Sequence, residues 1–243
     1  MSDTSPSAGA PVPPIDAAAQ SSAPSEQGDA NAAGVIDLLG AIGYNLLSGF
    51  TRIVADSELA PTLGVRSQMV TLARAELANY DRVVARLEEL GTRPEEAMDP
   101  FVAAVDAFHA RTRPSTFLEG IVKVYVGDGI ANDFYREVSA FVDPATRELV
   151  EGVETGEEFA AFVVRTVREA TKADPRVGGP LALYGRRLVG EALSQGQAVA
   201  VERDALAALL VDNPASDLLE IGRMFGRLTE AHTRRMGALG LAH

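Results

Sequence analysis

Apolar residues recur three and four apart over almost the whole chain, from Val35 to close to its C-terminal end. That spacing lays a stripe along one face of an α-helix and commits such a chain to helices packed on helices. The first run reads Ile36, Leu39, Ile42, Leu46, Phe50 and Ile53. The second reads Val65, Met69, Leu72, Glu76, Tyr80, Val83 and Leu87, and Gly91 with Pro94 stops it. A short piece near Phe101–Phe108 precedes a third long helix, begun by Pro114-Ser115, with Phe117, Ile121, Val124, Asp128 and Tyr135. Beyond Asp143-Pro144, a fourth carries Leu149, Val153, Ala160, Val163 and Val167. Asp174-Pro175 and Gly178-Gly179-Pro180 set off a fifth, with Leu181, Leu188, Ala192, Val199 and Leu206. Asn213-Pro214-Ala215-Ser216 supplies a turn and an N-cap for a last helix over 217–238. Period-two alternation is absent, so no strand is expected. The fold class is all-α, an up-and-down bundle. Its breaks at 57–64, 91–100, 142–145 and 173–180 let neighbouring helices run antiparallel.

Residues 1–33 follow another rule. Twenty of the 33 are Ala, Ser or Pro, and all four charges are acidic. Such a stretch buries too little to offset its ordering entropy, so it reads as a disordered tail ahead of one helical domain over 34–243. The whole chain carries −12, which leaves no basic excess for non-specific binding to nucleic-acid phosphates. The absence of Cys excludes disulfides, thiolate nucleophiles and Cys-held clusters. Three histidines, His109, His232 and His243, none of them three residues after a Glu, argue against a multi-His metal site. No uninterrupted apolar run reaches about 18 residues and no leader pattern opens the chain, so a cytoplasmic protein without a membrane span is expected.

The informative residues are the acids that interrupt the stripes. Glu76 falls among Met69, Leu72, Tyr80 and Val83, and Asp128 among Ile121, Val124 and Tyr135. Glu154 and Glu157 share a helical face with Val150, Ala161 and Val164. A buried carboxylate must be paired, protonated or metal-bound, which leaves two readings open. Inward acids on facing helices can hold two metal ions. Alternatively, Arg74, Arg165 and Arg168 stand at helical positions from which they could pair with them. Gly127-Asp128-Gly129 inside a helix points to close helix approach or to a ligand against the backbone. Glu191 and Gln195, one turn apart, fit hydrogen bonding between helices.

Four phrases carry a resemblance. They are Pro100-Phe101 with Asp106-Ala107-Phe108-His109, the run Gly127 to Glu137, the run Arg187 to Gln195, and Ala231-His232-Thr233-Arg234-Arg235-Met236. Together they resemble the actinobacterial ferritin-like proteins grouped with the tRNA hydroxylase that acts on methylthio-isopentenyl-adenosine, over about residues 35–240. The resemblance implies a ferritin-like four-helix bundle with additional C-terminal helices. It also implies a di-iron pattern of one Glu, then Glu-x-x-His, then an acid, then a second Glu-x-x-His. The first helix offers only Tyr44-Asn45-Leu46-Leu47-Ser48 where its Glu would sit. Glu76 is followed by Asn79 in the histidine position. The third helix supplies Asp128, with Asp133 as the alternative. The fourth has Glu154-Thr155-Gly156-Glu157, a Glu in the second histidine position. The implied ligand set is thus Glu76, Asn79, Asp128, Glu154 and Glu157, all oxygen donors, for iron or manganese if any metal binds. By the same resemblance a homodimer is expected, and tRNA is the family's substrate, with Arg186-Arg187 or Arg234-Arg235 as the local basic pairs. The expectation is a degenerate di-metal site on a binding or dimerisation module, the alternative being a di-metal hydroxylase.

Overall fold

A computed structural model describes residues 23–153, 156–209 and 217–241. Among these residues the chain is helical, with no strand. Helix α1 (Ala23–Asp56) pairs along its length with α2 (Leu63–Glu89). Two short helices, α3 (Pro94–Met98) and α4 (Val102–Arg111), lie against α1 and lead to α5 (Phe117–Ser139). Then come α6 (Pro144–Glu151), α7 (Glu157–Ala173), α8 (Gly178–Glu202), α9 (Asp204–Leu209) and α10 (Asp217–Leu239). Helix α5 is the hub and touches α1, α6, α7, α8 and α10. Its sequence shows why: from Gly120 to Val124 every residue is buried, as befits a helix that is apolar nearly all round.

Capping chemistry sets the boundaries. Thr62 and Thr116 accept from the backbone amides of Val65 and Glu119 and so start α2 and α5. Asp143 accepts from the amides of Ala145 and Thr146, and Pro144 sits in the first turn of α6. Gly91, at φ 75°, takes the left-handed conformation that ends α2.

The structure differs from the sequence pattern in three places. Helix α1 begins at Ala23, within the stretch expected to be a tail; the part of that stretch before Ala23 lies outside the described residues. Alanine favours helix, and the α1 residues Val35 to Leu39 are packed against Leu206 and Leu209 of α9. The expected fourth helix is two, α6 and α7, broken around Gly152 and Gly156. Leu206, expected on the fifth helix, belongs to the separate α9. The stretch Asn31–Leu59 is also apolar enough by composition to cross a membrane, with a mean hydropathy of 1.3 in its most apolar window. It is a core helix, for 56% of that window is buried against the rest of the bundle.

The core divides into two apolar clusters. One gathers Ile53, Met69, Leu72, Ile121, Val163, Leu188 and Met236. The other gathers Leu38, Ile42, Leu46, Val83, Leu87, Val138 and Val150. Along α1 the change from one to the other falls between Leu46 and Ile53, and along α2 between Ala73 and Val83. Ser48 and Glu76, both buried polar residues, lie in those intervals. A polar layer therefore crosses the middle of the bundle.

Ion pairs fasten the C-terminal helices to this core. Asp37 of α1, buried, receives Arg203 from the α8–α9 junction, with Nε 3.1 Å from Oδ2 and a second contact through Nη2. The guanidinium also lies over the Phe101 ring, 5.9 Å from its centroid. Arg203→Met leaves the Asp37 carboxylate buried without its cation, and because the arginine is partly exposed the expected loss is about 2 kcal/mol. Urea unfolding of the two proteins measures it.

Candidate functional site

The polar layer is built from α1, α2, α4 and α5. Glu76 is 7% exposed, and burial lifts its carboxyl from 4.5 to about 7. Helix α1 passes beside it at Gly49, where an added Cβ would be in ordinary contact with Glu76 Oε2, at 3.8 Å. Tyr135, buried beneath, has its phenol pushed well up by burial, with Asp128 and Glu76 adding to the effect. Glu76 and Asp128 thus both act on one phenol.

Beside this lies a small cavity of about 40 Å³, bordered by Asn45, Arg52, Asp56, His109, Lys123 and Asp128. Lys123 is buried on α5, and burial brings its ammonium down to about 8. Asp56 and Asp128 act against that shift, while Arg52 and Arg113 reinforce it. His109 is pushed down to about 3, first by burial and then by Lys123 and Arg52, so its imidazole is neutral. Neither of its buried ring nitrogens has a hydrogen-bond partner.

A much larger cavity, about 690 Å³, opens on the other side of Asn45, Phe108 and Gly127, which border both spaces. Its walls come from α1, α4, α5, α8, α9 and α10. Ile130, Phe134, Leu193, Leu206, Met224 and Phe225 are typical of them, and no charged side chain is among the described residues that line it.

The sequence profile of a family described as a ferritin-like domain of actinomycetes matches residues 29–213, most of the chain. This chain belongs to that ferritin-like family. No curated protein matches it. The match fixes the fold, a ferritin-like helical bundle, and it runs through α8 and α9; α10 lies beyond the matched residues.

Against the ferritin-like di-metal pattern, the residues expected as ligands are dispersed. Glu76 and Asp128 face the same interior. Asn79 is engaged elsewhere: its side-chain oxygen accepts from Arg82 Nη1 at 3.2 Å, and the same nitrogen reaches Gly152 O at 3.2 Å. Glu157 is exposed in the first turn of α7, because the break after Glu151 resets the helical phase; the inward face of α7 is Phe159, Val163 and Val167. Glu154 lies outside the described residues. Asp133, the alternative acid, is paired with Arg235 and lies 3.6 Å from Arg136. Among the described residues no three of His, Asp and Glu stand close enough to share a metal ion. The donor set described does not fit a ferritin-like metal pair.

The arginines that could have paired with the acids lie away from them or are engaged elsewhere. Arg74 and Arg165 are exposed, and Arg168 donates to Ala238 O at 2.7 Å at the end of α10. Close approach at the Gly127–Gly129 segment occurs at Gly129, where a Cβ would stand 2.7 Å from Arg235 Cδ. Of the two basic pairs, Arg186 and Arg187 are exposed, whereas Arg235 is tied to Asp133 and to Gly129 O. Glu191 pairs with Arg111 at 3.2 Å. Sequence reasoning missed Lys123, although a lysine inside Ile121-Val122-Lys123-Val124-Tyr125-Val126 is a signal that a charge has been carried into a core.

Proposed function

We propose that this protein is a ferritin-like binding module, descended from the same stock as the tRNA hydroxylases, in which protein charges have taken over the place of the di-metal centre. One observation carries this reading. Lys123 brings an ammonium into the polar layer beside Asp56 and Asp128. A cation there meets the need that a metal ion would otherwise meet, namely compensation of buried carboxylate charge. It also repels a dication approaching the same acids. The loss of both histidine positions points the same way, since neutral nitrogen ligands hold iron at such centres. The module would act through its apolar interior and its helical surface, and pair as a homodimer.

A second reading is a di-metal hydroxylase using iron or manganese. It is favoured by the position of the large apolar cavity, which borders the polar layer through Asn45, Phe108 and Gly127 and would present an apolar substrate to it. Metal content separates the two. The protein, purified without chelator, is incubated anaerobically with ferrous iron and separately with manganese, exchanged into buffer and analysed for bound metal. The binding module retains less than about a tenth of an equivalent per chain, whereas about two equivalents and an oxo-bridge absorption band after exposure to oxygen establish the hydroxylase and overturn the first reading.

A further inference from the structure

We propose that the cavity enclosed by α1, α4, α5, α8, α9 and α10 is a binding site for an uncharged, lipid-like small molecule with one hydroxyl or carbonyl end. The inference rests on the binding-module reading and names its ligand class.

Size and chemistry both point there. The cavity holds about 690 Å³, within the span of about 300–1,000 Å³ typical of small-molecule sites. A space of that size lined by Ile130, Phe134, Leu193, Met224 and Phe225 forgoes dispersion contacts that an apolar occupant restores. Water gains little from such walls, because it needs several polar partners and they offer few.

The lining also selects against charge. No Asp, Glu, Lys or Arg is among the described residues bordering the cavity. An ionised head drawn inside would lose its hydration without a counter-ion. Neutral hydrogen-bonding groups are present: the amide of Asn45 on the side of the polar layer, and Gln195 with Gln197 on α8. Each amide offers both a donor and an acceptor, which suits a hydroxyl or a carbonyl. The way in is marked by exposure. Gly196, Gln197 and Gly222 are exposed, and Val201 is 81% exposed, so among the described residues the mouth lies between the second half of α8 and Gly222 of α10. A chain-like molecule would enter there and run inward towards Asn45.

The protein has no Trp, so Phe225→Trp places its one indole on the cavity wall. The full-length variant is titrated with a long-chain alcohol carrying a bromine at its far end, and with the carboxylate of the same length and bromination. The expected result is saturable, one-to-one quenching by the alcohol, at least about tenfold tighter than by the carboxylate. Ala131→Phe, made in the same background, fills the interior and abolishes the quenching. If that variant does not fold, Ala200→Phe nearer the mouth serves the same purpose. No saturable quenching, or quenching that survives both filling variants, overturns the site. A carboxylate that binds as well as the alcohol overturns the ligand class. Dissociation of a dimer on adding alcohol, seen by light scattering, also overturns it, because the cavity would then be covered by a second copy. These readouts do not depend on metal content, so the site can fail while the binding-module reading stands, and the reverse.

Discussion

Gly40→Ala is expected to destabilise the protein by about 3 kcal/mol or more, because among the described glycines its added Cβ would come nearest to another backbone. Gly40 lies on α1 where α3 crosses it. A Cβ there would overlap the carbonyl oxygen of Ala97 and stand 2.6 Å from the carbonyl carbon. Both are backbone atoms, so relief requires moving α3 and the Phe101 ring behind it, which lies 3.2 Å from the same point. Moving Phe101 disturbs the stacked Arg203 and its pair with Asp37, and through them the seat of α9. Gly190→Ala on α8 is the control. A Cβ at Gly190 meets nothing within 4 Å, and alanine there gains about 0.5–1 kcal/mol through helix propensity. Denaturant unfolding of the two variants should move in opposite directions. Equal, small effects would mean that α3 does not sit on α1 as described.

This contrast marks where sequence reading is strong and where it stops. The stripe of α2 put Glu76 among buried neighbours, and it is buried. That inference needed only the period of one unbroken helix. Glu157 fails for the complementary reason. Its inward placement assumed that the phase set by Val150 continued to Ala161, but Gly152 and Gly156 flank a break, and a new helix starts with Glu157 in its exposed first turn. Asp143-Pro144 was legible because capping is local. The Asp37–Arg203 pair was not, since 166 residues separate the partners and neither has a local signature. Lys123 was missed in the sequence; only the packing of α1, α4 and α5 reveals that it shares a cavity wall with Asp56, His109 and Asp128. The large cavity could not be read at all, because it is a property of how α8, α9 and α10 pack against α1, α4 and α5.

Glu76→Gln is expected to stabilise the protein at pH 8 by about 2–3 kcal/mol and to be nearly neutral below about pH 4.5. The reasoning follows from the direction of the shift. Burial raises the Glu76 carboxyl from 4.5 to about 7, so the folded protein holds this proton more tightly than the unfolded chain does. Below the unfolded value both states are protonated and burial carries no ionic penalty. As pH climbs from 4.5 towards 7 the unfolded state loses its proton first, and stability falls. Above that window the native state must bury an anion, and the full penalty applies. Among the described residues no basic side chain forms an ion pair with Glu76, so the penalty is not recovered by direct pairing. Glutamine keeps the shape and one accepting oxygen while replacing the charged group with a neutral amide. The measurement is denaturant unfolding of wild type and variant, with chelator present, across that range. A gain that grows with pH identifies a buried acid retained at an energetic loss. A loss at pH 8 would mean that the carboxylate compensates a nearby cation, and would make Glu76 part of the same charge network as Lys123.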